Sequence, residues 1–156
     1  MTKTLMVIRI RGGLDLPFFV EDTMKMLRVD KNNYATILIE SGSYIGMLRK
    51  AKNHITWGKP SLETIKLVLE KRGRLTGDKP ITNEALKELG YESIDNLAEK
   101  LYLGELEFSQ LKGIKPFFRM HPPKKGFKKS IKRPYRDRGE LGDRKETINE
   151  LVSRMC

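Results

Sequence analysis

A single cysteine, Cys156, stands in this chain, so an intramolecular disulfide framework is excluded. Only two histidines occur, His54 and His121, and neither has a Cys or His nearby at metal-ligand spacing; no metal site is expected. No apolar run approaches the ~20 residues of a membrane-spanning helix. Arg11-Gly12-Gly13 lacks the further glycines and the Lys-Ser/Thr pair of a phosphate-cradling loop. Ser41 and Ser43 lack the setting of a nucleophile elbow. The carboxylates are scattered beside Lys and Arg at helix spacing, as solvated ion pairs are. No catalytic residue, no cofactor and no small-molecule substrate is therefore expected. Met1-Thr-Lys-Thr runs straight into a β-like segment without a signal-peptide profile, which predicts a soluble cytoplasmic protein.

What the chain does have is concentrated positive charge. Residues 112–138 hold 11 basic side chains and one acid, Asp137, a local net of +10. The remaining 129 residues hold 20 basic and 19 acidic side chains, a net of +1. A near-neutral body with a cationic arm is the electrostatic pattern of a protein that holds a polyanion.

The body reads as alternating strands and helices. Residues 5–11 are β-branched and apolar, with Met6, Ile8 and Ile10 on one face and Arg9 and Arg11 on the other; Gly12-Gly13 ends them. Pro17 suits the first turn of a helix with Asp15 as a possible cap, followed by Val20, Met24 and Leu27 at helical spacing. Residues 34–40 form a second strand, with Ala35, Ile37 and Ile39 facing one way. Ser41-Gly42-Ser43 supplies the cap of a second helix, on which Tyr44, Met47, Leu48 and Ala51 recur at i, i+3, i+4 and i+7. Gly46 inside that helix points to close approach of a backbone, with packing favoured over nucleic acid. Residues 54–57 form a third strand. The expected fold is α/β (α+β): a small two-layer β-α-β-α-β sandwich, ferredoxin-like in style.

Beyond it, Ser61, Thr82 and Ser93 open three helices, a helical insert packed on itself or on the sheet. Pro116, Pro122, Pro123 and Pro134 make a regular helix improbable after Lys112, while residues 115–120 can add one edge strand. Asp143 and Glu146 form a D-x-x-E variant of the capping box. Ile148, Leu151, Val152 and Met155 then predict a last helix that docks on the body and holds the arm at both ends. Cys156 is expected to be frayed. Met6, Met24, Met26, Met47, Met120 and Met155 read as core or hinge packing. The division is thus 1–58 for the sandwich core, 59–111 for the insert, 112–142 for the arm and 143–156 for the last helix.

Within the arm the cations come in pairs: Lys124-Lys125, Lys128-Lys129 and Lys132-Arg133, continued by Arg136 and Arg138. Phe127 and Tyr135 lie among them, available to stack on unpaired bases. Alone, such a segment repels itself; it is expected to order only against an anion. A membrane surface would call for an amphipathic helix with bulky apolar residues opposite the cations, and the prolines argue against one. RNA is the better partner. The candidate RNA-binding residues are Arg119, His121, Lys124, Lys125, Phe127, Lys128, Lys129, Lys132, Arg133, Tyr135, Arg136 and Arg138. A second, weaker cluster comprises Ser43, Tyr44, Arg49, Lys50 and Lys52. The rival reading is an RNA-processing or RNA-modifying enzyme that uses the arm for substrate capture.

Several runs carry a resemblance. They are Val7–Gly12, SYIGMLRKAK at 43–52, HITWG at 54–58, EKRGRLTGDKPIT at 70–82, FFRMHPPKKGFKKSIK at 117–132 and GELGDRKETINELVSRM at 139–155. Together they resemble the archaeal form of the large-subunit ribosomal protein L-thirty family, whose eukaryotic relative is called L-seven. The likeness runs nearly end to end. It implies a non-catalytic structural role in the ribosome, in the cytoplasm, with large-subunit ribosomal RNA and neighbouring ribosomal proteins as partners. One departure is that Ser41-Gly42 stands where the family usually has Thr-Pro.

Overall fold

The structure is a computed structural model that describes residues 4–12 and 16–156. Gly13 and the possible cap Asp15 lie outside the described residues. The elements run β1 (Thr4–Arg9), α1 (Phe18–Met26), β2 (Tyr34–Ile39), α2 (Gly42–Lys50), β3 (Ile55–Gly58), α3 (Leu62–Arg72), α4 (Asn83–Glu88), α5 (Ile94–Leu103), β4 (Phe118–Arg119), β5 (Ser130–Pro134), β6 (Gly139–Asp143) and α6 (Ile148–Met155).

The strands form one mixed sheet in the order β4-β2-β1-β3-β6-β5. β1 lies between β2 and β3, antiparallel to both. β4 extends the β2 edge antiparallel, which is the edge strand expected from residues 115–120. β6 runs parallel to β3, and β5 parallel to β6.

All six residues of β1 are buried, because both of its faces are covered. Leu5, Val7 and Leu38 meet Val20 and Met24 of α1, Leu27 at its C-cap and Leu48 of α2. This is the expected β-α-β-α-β sandwich. On the opposite face Met6, Ile8, Ala35 and Ile37 meet apolar residues of α3, α5 and α6. The insert therefore packs on the sheet and adds a third layer, of the α/β kind in which helices cover both faces. Arg9, expected on a polar face, shares the α1 and α2 side of β1 with Leu5 and Val7 and is only 6% exposed; its guanidinium donates to the carbonyls of Arg11 and Asp30.

Local chemistry explains where the helices begin. The hydroxyls of Ser41, Ser61, Thr82 and Ser93 accept from the amides of Tyr44, Thr64, Ala85 and Asn96 at 3.1–3.2 Å, each supplying one of the acceptors that a helix start lacks. α6 differs from expectation. The Asp143 carboxylate accepts from Lys145 N at 2.9 Å, not from Glu146, and a 3-10 turn over Lys145–Thr147 precedes the helix. Asp143 is held in β6, and that pairing leaves it too early to cap α6.

Other expectations also change. Met26 is 62% exposed rather than packed. Gly46 has open space where a Cβ would stand, so among the described residues no other element packs against it. Cys156 is buried, with its amide donating to Val152 O at 3.0 Å and its carbonyl 2.7 Å from His121 Nε2. It is not frayed, because the arm folds back over it.

Gly58 shows how tightly α6 meets the sheet. A Cβ there would lie 2.0 Å from Lys145 O and 2.7 Å from Ile148 Cβ. Gly58→Ala is expected to cost about 1–3 kcal/mol through overpacking. In a thermal melt that is a drop of roughly 2–12 °C, and an unchanged midpoint would contradict the packing described.

Candidate nucleic-acid interface

The arm owes its path to the end of α6. The last carbonyls of a helix have no partner within it. Here Met155 O accepts from His121 N at 3.1 Å, and Arg154 O accepts from Lys124 N at 3.0 Å. The Arg154 guanidinium returns bonds to the carbonyls of Lys124 and Gly126. Gly126 N closes a turn onto Pro123 O at 2.9 Å, with Lys125 and Gly126 at φ of 65° and 73°. Further on, Lys129 N donates to Glu140 Oε1 at 3.0 Å, and β5 joins β6. The expectation that the arm orders only against an anion is corrected by these bonds. Unsatisfied helix carbonyls and a sheet edge supply backbone partners that composition alone does not reveal.

Beneath the arm lies a buried ion pair. Arg144 donates to Glu140 Oε2 at 2.5 Å and to Glu140 O at 2.7 Å, and its Nε donates to Thr56 Oγ1 at 2.9 Å. Lys128, Lys129, Tyr135, Arg144 and Arg154 line an open cleft together with Glu140 and Glu150. Arg144 and Arg154 were not singled out from the sequence, because a D-R-K-E run and a helix-terminal Arg look like ordinary helix ends. The usable signal for Arg154 was a cation in the last turn of a helix that meets the arm.

The backbone is anchored, but most of the arm's cations point outward. Lys124, Lys125, Lys129, Lys132, Arg133, Arg136 and Arg138 are exposed, and among the described residues none of them forms an ion pair. Three of the arm's cations are engaged. Arg119 reaches Asp78 at 3.2 Å beside Lys115 at 2.9 Å, and Lys128 reaches Glu150 at 3.0 Å. The bonded Lys115 and the charge of Arg119 hold the Asp78 carboxyl below its usual range, and Lys128 does the same to Glu150.

The rings are less free than the sequence suggests. Phe127 is half-buried against the core. Tyr135 is half-buried, with the Lys129 ammonium 4.7 Å and the Arg144 guanidinium 5.2 Å from its centroid. Both nitrogens of His121 lie 2.7 Å from carbonyl oxygens, those of Pro122 and Cys156, so this ring clasps the arm to α6.

The second cluster sits on α2, which covers the opposite face of the sheet from α6. Ser43, Arg49, Lys50 and Lys52 are exposed there, with Gly46 between them. Tyr44 OH donates to Glu107 at 2.5 Å, a bond that raises the phenol pKa and ties α2 to the insert. The fold gathers Lys128, Lys129 and Tyr135 around one cleft, leaves Arg119 on β4 at the opposite edge of the sheet from β5, and keeps the α2 residues on a separate surface.

His54 is not a ligand to anything described, and among the described residues no group of His, Cys, Asp and Glu is placed to hold a metal ion. Its Nδ1 is buried without a hydrogen-bond partner among the described residues. Burial first, then the charges of Arg11 and Arg9, lower its pKa. The unfolded chain then takes up this proton at the ordinary value, and the folded chain only at lower pH. Stability is expected to decline as pH falls from the ordinary histidine value toward the folded one, and to level off below it. Urea unfolding at pH 7 and pH 5 checks this: His54→Gln should lose less stability on acidification than the unaltered chain, and an equal loss would contradict it.

The comparisons with known proteins now bear on this geometry. A sequence model of the family described as Ribosomal protein L30p/L7e matches residues 5–55, from β1 to the start of β3. The chain is 47% identical over 155 residues to "Large ribosomal subunit protein uL30" of Staphylothermus marinus, covering 96% of each chain. It is 44% identical over 149 residues to the protein of that name from Nanoarchaeum equitans, covering 95% of this chain and 96% of the relative. It is 47% identical over 156 residues to that of Ignicoccus hospitalis, covering 98% of each. With identity at that level over alignments that span nearly the whole chain, the chain belongs to the ribosomal protein L30p/L7e family.

Proposed function

We propose that the chain is a structural, non-catalytic constituent of the large ribosomal subunit, and that it holds ribosomal RNA through its basic arm. The names of its relatives support the ribosomal assignment. The observation that carries the RNA contact is the set of seven exposed, unpaired cations on a backbone already tied to α6 and β6. Preordering matters energetically, since fixing a residue's backbone costs roughly 1–2 kcal/mol. An arm held before contact loses less on binding, so more of the phosphate attraction appears as affinity. Ser43, Tyr44, Arg49, Lys50 and Lys52 offer a second, weaker RNA contact on the far face. Neighbouring ribosomal proteins complete the surroundings, in the cytoplasm.

The same reading divides the chain by role. Residues 1–58 form the core, 59–111 the insert, 112–142 the RNA-binding arm and 143–156 the helix that holds it. Deleting the arm is a poor test, because it removes β4, β5 and most of β6 from the sheet. Neutralising its exposed cations leaves those strands in place. A chain with Lys124, Lys125, Lys129, Lys132, Arg133 and Arg136 replaced by Gln should leave large subunits at a lower salt concentration than the unaltered chain in a co-sedimentation wash. Equal retention at every salt step would remove the arm as the main contact.

A further inference from the structure

α1 turns a second apolar stripe away from the core. Val20, Thr23, Met24 and Leu27 face inward. Phe18, Phe19 and Met26 lie on the other side at 76%, 48% and 62% exposure, with Asp22 between them at helical spacing. The two phenylalanine rings meet edge to face at 6.2 Å, so they support each other outside the core. Taking roughly 200 Å² for a large side chain fully exposed, the stripe offers about 350 Å², the size of patch that commonly has a function.

Charge decides what fits it. α1 carries Glu21, Asp22 and Lys25, a net of −1, in a chain of net +11. Lys25 is turned to Glu21 at 3.7 Å, and among the described residues Asp22 has no ion-pair partner. The helix offers a phosphate backbone only Lys25, which is already turned to Glu21. Aromatic residues and Met with few charges are the composition of a protein–protein interface core. Area then excludes a self-sufficient dimer, because a standard interface buries about 800 Å² on each side. The stripe suits one anchor within an assembly where RNA contacts supply the remaining affinity.

We infer that the outward stripe of α1 docks into an apolar groove of a neighbouring protein of the large subunit, with a cation of that protein against Asp22. The mode is a helix laid in a groove, with Phe18 as the deepest anchor. This rests on the ribosomal reading above.

The test places the photoreactive residue benzoylphenylalanine at position 18 of the full chain, in washed large subunits that contain it. Irradiation followed by RNase treatment should leave an RNase-resistant protein adduct. Asp22→Lys in the same chain should reduce its yield several-fold, since it sets like charges against each other. Particles that contain the chain but give only an RNA adduct, an adduct with a second copy, or no adduct would overturn the inference while leaving the ribosomal reading intact. Absence of the chain from washed particles would overturn both.

Discussion

A chain with six arm cations changed to Gln, at positions 124, 125, 129, 132, 133 and 136, is expected to bind ribosomal RNA with a salt slope flatter by about four to five units on a log–log plot. The figure follows from counterion release, which contributes roughly 0.7 per phosphate contact on single strands and 0.9 on a duplex. For the unaltered chain, six such contacts imply an affinity drop of about 300-fold to 2000-fold between 50 and 200 mM salt. The variant should lose most of that dependence and keep only the share due to Arg138, α2 and other scattered cations. Its stability should change little. None of the six side chains forms an ion pair among the described residues, so their removal leaves no buried partner behind. Filter binding across a salt series, with a thermal melt of each chain, measures both quantities. An unchanged slope in a folded variant would mean that the phosphates are met elsewhere.

The second large effect is expected under the arm. Arg144 and Glu140 have side-chain exposures of 5% and 6%, and their pair joins β6 to Thr56 of β3 and to the amide of Lys129. Arg144→Met leaves Glu140 buried without its cation and takes a donor from the Glu140 carbonyl and from the Thr56 hydroxyl, which keeps its own bond to Gly142 O. Breaking a buried pair from one side costs about 3–5 kcal/mol, which for this chain length is a drop of roughly 6–20 °C in melting temperature. Removing the partner too should relieve part of the loss, because the charge is then gone: the pair Arg144→Met with Glu140→Leu should be more stable than Arg144→Met alone. Recovery will be incomplete, since the Lys129 amide loses its acceptor. A double variant no better than the single one would show that the charge pairing is not what matters. Hydrogen exchange at residues 128–134 should also rise in Arg144→Met, because the arm's attachment passes through Glu140.

Much of this molecule was legible in its sequence for local reasons. Ser41, Ser61, Thr82 and Ser93 cap the helices they were expected to cap, because a short side-chain oxygen satisfies an amide three residues on without help from elsewhere. The alternation in residues 5–10 and 34–39 placed Met6, Ile8, Ala35 and Ile37 on one face for an equally local reason, the two-residue period of a strand. Charge clustering is a property of composition, and it singled out the arm.

The remainder depended on what comes near what. Asp143 and Glu146 have the spacing of a capping box, but pairing with β3 draws Asp143 into the sheet first. Met26 has the hydrophobicity of a core residue and lies on the wrong side of α1. Arg144 became a buried partner only when β6 was laid beside β3.

The sequence by itself determined β1 to β4, the helices, the caps of α2 to α5 and the location of the positive charge, because each of these follows from neighbours a few residues apart. Tertiary structure alone decided that the insert covers the second face of the sheet, and that the last carbonyls of α6 hold the amides of His121 and Lys124. The physical reason is that an unsatisfied carbonyl or an uncovered apolar face specifies the need for a partner, not its identity. Which segment meets that need depends on distances set by the whole folded chain.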